Sequence, residues 1–166
     1  MNLITDASLI IAIFDEDELG DPKILTKILA LGFELVIPSA VREEVYLYQA
    51  QGLDIYKHQS KIPIDKEQFT LQARYPRLGK GELEVIAYGL YLKGLNEDYL
   101  CLLDDGKARK VALDLQLKII GTYGMLEKLF QAKMFTNDEY KSCLLKLRKS
   151  KFRLPDKIID DRINTL

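Results

Sequence analysis

A chain of 166 residues, 48% hydrophobic and 30% charged, suits one domain with a real core and is too apolar to remain disordered. Its net charge of −1 offers no global attraction to nucleic acid, so any such contact must come from local patches. Two cysteines, Cys101 and Cys143, both in apolar runs, exclude a disulfide framework, and no apolar run approaches the ~20 residues of a membrane span.

Residues 2–5 (NLIT) read as a strand running into Asp6, followed by helices over about 8–14 and about 22–31. Residues 34–37 (ELVI) form the next strand, and a helix over about 39–51 begins at Ser39. At about 100° per residue, that helix places Val41, Val45 and Tyr48 on one face with Glu44 among them, and Glu43 nearly opposite. A carboxylate on an apolar stripe is costly unless paired, metal-bound or partly exposed at the helix edge.

Residues 52–64 are the least regular and read as a loop with a short edge strand. A helix follows over about 66–75, then one over about 80–93 in LGKGELEVIAYGL. Its buried stripe is Leu83, Ile86, Ala87 and Leu90. Glu82 lies at the stripe's edge in the first turn, where it also complements the helix dipole. Residues 99–103 (YLCLL) are almost wholly apolar, as a central parallel strand requires, and run into Asp104 and Asp105.

The remaining elements are a helix over about 106–115, a strand over 117–120 and helices over about 122–132, 137–148 and 156–164. Thr136 and Glu139 have capping-box spacing, and Pro155 suits a first helical turn. Lys141, Lys146, Arg148, Lys149, Lys151 and Arg153 follow one another without an acid, as a solvated helix face or a phosphate-binding surface. Strands alternating with helices predict an α/β fold, a three-layer α/β/α sandwich with a central parallel sheet. We expect a single domain over 1–166, with a core over about 1–135 and extra C-terminal helices over about 136–166.

The lone histidine, His58, sits in a polar loop, so His-rich metal sites and Ser-His-Asp or Cys-His nucleophiles have little to build on. Gly79-Lys80-Gly81 is only a fragment of a phosphate loop. Carboxylate chemistry remains. Ligands of open parallel sheets bind beyond the carboxyl ends of strands, and two strands here end in acids, at Asp6 and at Asp104-Asp105. Each acid is also a natural helix N-cap, but one cap needs only one acid. Clustered carboxylates repel and need protons or a cation, and all-oxygen ligation favours Mg²⁺ or Mn²⁺. Such ions drive hydrolysis of phosphodiesters without a protein nucleophile. A phosphatase or nucleotidase on a similar sheet is disfavoured, because Asp6-Ala7-Ser8 lacks the second acid of a D-x-D.

Six segments carry a resemblance in order along nearly the whole chain: ITDASLIIAI, IPSAVREEV, LGKGELEVIAYGL, LLDDGKARKVA, IIGTYGML and KFRLPDKIIDDRI. Each is modest alone, and together they resemble PIN-domain proteins, closely the branch of small prokaryotic proteins regarded as nucleic-acid-binding. The resemblance implies the same parallel sandwich, Mg²⁺- or Mn²⁺-dependent cleavage of RNA, and for many members the toxin role in type II toxin–antitoxin modules. It makes Asp6, Glu44, Glu82 and Asp105 the catalytic metal ligands, with Asp104 assisting. Ser8 and Thr122 become supporting or phosphate contacts, and Lys107 and Arg109 contacts to the RNA backbone. A homodimer, a cognate antitoxin and a cytoplasmic location are the implied setting. The alternative is a PIN-like module that binds RNA or protein without cutting. Position 82 is Glu where the wider family carries Asp, which leaves the number of metal ions open.

Overall fold

Alternation along the strands decides which side chain faces which layer. In this computed structural model, which describes residues 1–55, 57–58, 64–150 and 155–166, four parallel strands form one sheet. They are β1 (Asn2–Thr5), β2 (Glu34–Val36), β3 (Tyr99–Leu102) and β4 (Ile119–Ile120), in the order β2-β1-β3-β4. The register pairs Leu3 with Leu35 and Leu100, Ile4 with Val36 and Cys101, and Leu102 with Ile120. Leu3, Leu35 and Leu102 therefore point into one layer, while Ile4, Cys101 and Leu103 point into the other.

The first layer holds α1 (Ala7–Phe14), α2 (Lys23–Ala30), α3 (Ser39–Val45), α7 (Thr122–Gln131), α8 (Asn137–Lys149) and α9 (Asp156–Asn164). The second holds α4 (Asp65–Arg74), α5 (Lys80–Gly94) and α6 (Gly106–Asp114). This is the expected parallel α/β/α sandwich. The C-terminal helices are less an appendage than part of the first layer: α8 buries Tyr140, Cys143, Leu144 and Leu147, and α9 buries Ile159, all in the core of α1 and α7. Thr136 and Glu139 make the expected capping box, with Thr136 N–H donating to Glu139 Oε2 at 2.7 Å. Arg162 of α9 grips Glu127 of α7 with two bonds of 2.9 Å, and the Tyr140 hydroxyl donates to the same carboxylate.

Two expectations need correction. The helix expected over 39–51 ends at Val45 and tightens into a 3₁₀ turn over Tyr46–Gln51, closed by Gly52 at φ 96°. Tyr48 stays in the core, its ring 5.7 Å from that of Phe14, while Tyr46 and Leu47 are exposed. The strand expected over 117–120 narrows to Ile119–Ile120, because Leu117 packs into the α5 layer instead. Residues 56 and 59–63, where much of the expected edge strand falls, lie outside the described residues, as do Lys151 and Arg153. Of the other basic residues near the end, Lys146 donates to the Leu19 carbonyl and Arg148 pairs with Asp160 at 3.1 Å, so that stretch is partly neutralised by its neighbours. Among the described residues no helix is long and apolar enough to cross a membrane.

Candidate active site

Parallel strands discharge at one edge of the sheet, and the acids collect there. β1 ends where the Asp6 N–H donates to the Leu102 carbonyl at 3.1 Å, tying the ends of the two central strands together. The Asp6 side chain then caps α1. Its Oδ1 accepts from Ser8 N–H at 3.0 Å, and its Oδ2 accepts from Asp104 N–H at 3.3 Å. Asp6 is buried, and that burial, reinforced by the Asp104 charge, pushes its carboxyl from 3.8 up to about 7. The Ser8 hydroxyl also bonds Asp6, opposing this rise, so Ser8 braces the carboxylate.

The adjacent acids after β3 divide their work. Asp104 turns across the strand ends to α7, whose N-cap is Gly121 and has no side chain to offer. Asp104 supplies the missing acceptor: Oδ1 takes Thr122 N–H at 2.8 Å and Oδ2 takes the Thr122 hydroxyl. Thr122 is fully buried, so its hydroxyl serves Asp104 and not a phosphate. Arg109 also turns inward, donating to the Leu103 carbonyl at 2.9 Å beside Asp104. Arg109 thereby braces the turn, and Lys107 lies within electrostatic reach of Glu82. A Cβ on Gly121 would stand 2.7 Å from Asp104 Oδ1 and 3.0 Å from Arg109 Nη1, so glycine is what lets these groups meet. Burial raises the Asp104 pKa, against Thr122 and Arg109. Asp105 caps α6 through Oδ1 alone, accepting Lys107 N–H at 2.8 Å and Ala108 N–H at 3.0 Å. Its exposed Oδ2 accepts no bond from a described residue, which makes Asp105 the freer ligand of the two.

Glu82 faces them from the first turn of α5, its Oε2 accepting Gly79 N–H at 2.8 Å. Partial burial raises its pKa, as do the charges of Asp105 and Glu44, while Lys107 lowers it. Glu82 thus lies within electrostatic reach of Asp105, Glu44 and Lys107. Glu44 corrects a detail of the sequence reading. Val41, Val45 and Tyr48 are buried as expected, but Glu44 lies at the edge of their stripe and is exposed, like Glu43. Its Oε1 sits 2.9 Å from where a Gly81 Cβ would be, so Gly81 admits it beside α5. Its pKa is raised by partial burial and then by Glu43.

The sequence reading missed Glu84. α3 starts behind Pro38 with no side-chain cap, and Glu84 of α5 fills that role from 45 residues away. It is buried and accepts from Ser39 Oγ and Ala40 N–H, both at 2.8 Å, and from Gln68 Nε2 at 3.3 Å. Glu84 thereby fixes the helix that carries Glu44. The available signal was the bare N-terminus of α3, which had to find an acceptor somewhere.

Asp6 therefore meets Asp104 at the sheet edge, and Glu82 lies within electrostatic reach of Glu44 and Asp105. Among the described residues, no three Asp, Glu, His or Cys side chains converge closely enough to hold a metal ion. The donor chemistry still fits a hard divalent ion, because these are buried or half-buried carboxylate oxygens, and among the described residues Lys107 and Arg109 are the cations that lower their pKa values. Closing on an ion requires the exposed arms, Glu44 and Asp105, to turn toward Asp6. A family model described as a PIN domain matches residues 2–166. No curated protein and no solved structure matches the chain.

Proposed function

This chain belongs to the PIN-domain family, and from that premise we propose that it is a Mg²⁺- or Mn²⁺-dependent ribonuclease that hydrolyses phosphodiester bonds in single-stranded RNA. The observation that carries the reading is the gathering of Asp6, Glu44, Glu82, Asp104 and Asp105 at one sheet edge, where burial above all raises the pKa values of Asp6, Glu44, Glu82 and Asp104. Asp6, Glu44, Glu82 and Asp105 would hold the ion, with Asp104 between Asp6 and Thr122 as the hinge that sets their spacing. When bound, the ion supplies a polarised phosphoryl oxygen and an activated water. The protein's part is to bring the carboxylates to one sheet edge, to keep Asp6 in a site that water reaches poorly, and to offer Lys107 to the substrate phosphate.

The test is cleavage of an unstructured RNA by purified protein with Mn²⁺ or Mg²⁺. EDTA, Asp6→Asn and Asp105→Asn should each abolish it, and undiminished cleavage by either variant would sink the site. A second reading, a module that binds RNA without cutting, draws on the lack of a three-carboxylate cluster among the described residues. It predicts RNA binding without metal-dependent product. A toxin role, a cognate antitoxin, a homodimer and a cytoplasmic location belong to the same proposal. Growth arrest on expression, relieved by Asp105→Asn, would support the toxin role. Two buried thiols, Cys101 and Cys143, suit a reducing compartment.

A further inference from the structure

Beside the carboxylate mouth, across the ridge where α3 meets α5, lies a separate cleft of about 380 Å³ between α3, α4 and α5. At that size it lies at the small end of ligand clefts, with room for one flat ring and its sugar but not for a protein helix. Its wall from α4 is unusual for this protein. Phe69 is 76% exposed, the most exposed large hydrophobic side chain among the described residues. Gln68 and Gln72 fall within about 100° of it on the helix, while Leu71 turns to the core. α4 thus presents an aromatic side chain with two amides together on one side of it.

The other wall supplies charge. Glu84 lies buried on the floor and fixes the Gln68 amide nitrogen at 3.3 Å, which leaves the Gln68 carbonyl oxygen as an acceptor. Gln72 makes no hydrogen bond to a described residue, so its donors and acceptor are both available. Glu43 and Glu84 make the interior repel phosphate, whereas Lys80 on the lining offers a phosphate contact. Aromatic face, amide edges and a cation outside an acidic floor are the elements that recognise an unpaired base with its backbone held outside. The position agrees: Glu43 is the chain neighbour of Glu44, and Lys80 stands two residues before Glu82.

We propose that this cleft is a nucleobase subsite, in which a base of the single-stranded RNA substrate stacks on Phe69 and is read by Gln68 and Gln72 while Lys80 holds its phosphate. The inference rests on the nuclease reading and goes further by assigning where the substrate strand is gripped outside the carboxylate mouth. It is tested by fluorescence anisotropy in an Asp105→Asn background, so that nothing is cut. The probes are a short unstructured oligoribonucleotide and a strand of equal length whose sugars lack bases. Phe69→Ala should weaken binding of the base-bearing strand about tenfold, Phe69→Trp should restore it, and the abasic strand should bind parent and variant alike. Gln72→Ala should weaken only the base-bearing strand. Equal affinity of Phe69→Ala and parent for the base-bearing strand would overturn the subsite, and metal-dependent cleavage by the wild-type protein would leave the nuclease reading standing. Loss of both strands alike would overturn it too, as would unchanged RNA binding with altered self-association in sedimentation, which would make the face a protein interface. If the parent bound neither strand and cut no RNA, subsite and nuclease reading would fall together.

Discussion

Asp6 holds a proton more tightly folded than unfolded, because burial and Asp104 raise its pKa from 3.8 to about 7. Its stabilising contribution is therefore complete below about pH 4 and is lost as pH rises through about 7, a few kcal/mol in all. Glu44, Glu82 and Asp104 are raised as well and push the same way. In EDTA, the protein should melt at a lower temperature at pH 8 than at pH 6. Asp6→Asn should flatten that difference and raise the pH 8 melting point, and Mg²⁺ should do the same for the parent; an unchanged pH slope in Asp6→Asn would refute the account. Activity tests a neighbouring acid. Glu44→Gln keeps shape but removes the charge a cation needs, so metal-dependent cleavage should fall by orders of magnitude. Glu97→Gln, exposed at the opposite edge of the sheet, should leave activity intact and change stability by no more than about 0.5 kcal/mol in a denaturant titration. Comparable losses in both variants would move the site away from α3. The doubled acid at 104 and 105 was legible in the sequence, but its division of labour was not, because it depends on Thr122, eighteen residues further on.

Among the elements, α5 is the least legible from its residues. Its sequence supports one stripe of Leu83, Ile86, Ala87 and Leu90, yet the helix is buried on nearly all sides, including Gly81, Glu84, Tyr88 and Gly89. A helix buried on most of its sides has little phase to read, so nothing local marks Glu84 as buried or pairs it with α3. α3 is the reverse case. Its stripe is legible through Val41 and Val45 to Tyr48, because Tyr48 follows Val45 by one turn of three residues even where the helix tightens from 3.6. The strands are clearer, since apolar runs as short as NLIT and YLCLL give a helix too few turns to form, and the acid after each marks where the chain leaves the sheet. Close approach of α5 to β3 yields a direct test. A Cβ on Gly89 would stand 2.5 Å from Cys101 Sγ and 3.2 Å from Leu117 Cδ1. Gly89→Ala should cost about 1–3 kcal/mol by overpacking, read from chemical denaturation. Adding Cys101→Ala should return part of it, and a double variant weaker than the sum of its parts would contradict this packing.

At the scale of the whole molecule, the last helix is tied down by charge as well as by oil. Arg162 bonds Glu127 twice, Tyr140 shares that carboxylate, and the guanidinium lies 5.3 Å from the Phe130 ring. Pair and ring are only partly buried, so Arg162→Ala should cost about 1–2 kcal/mol in a denaturant midpoint. Cleavage well below the melting point should persist, because the pair lies outside the site; its loss would couple α9 to catalysis. The sheet itself bears on the order of events during synthesis. β1 pairs early with β2 on one side, but on the other with β3, Asn2 against Tyr99 and Thr5 against Leu102, so one edge of the first strand made waits for a partner almost a hundred residues later. Asp6 meets Asp104 only through that pairing. A nascent chain therefore carries Asp6 for more than half of its growth, and Glu44 and Glu82 for shorter spans, without the frame that gathers them, and a chain released at Gly94 should cut no RNA. The two carboxylates at the centre of the sheet edge thus come together only after the central strand pairing has closed.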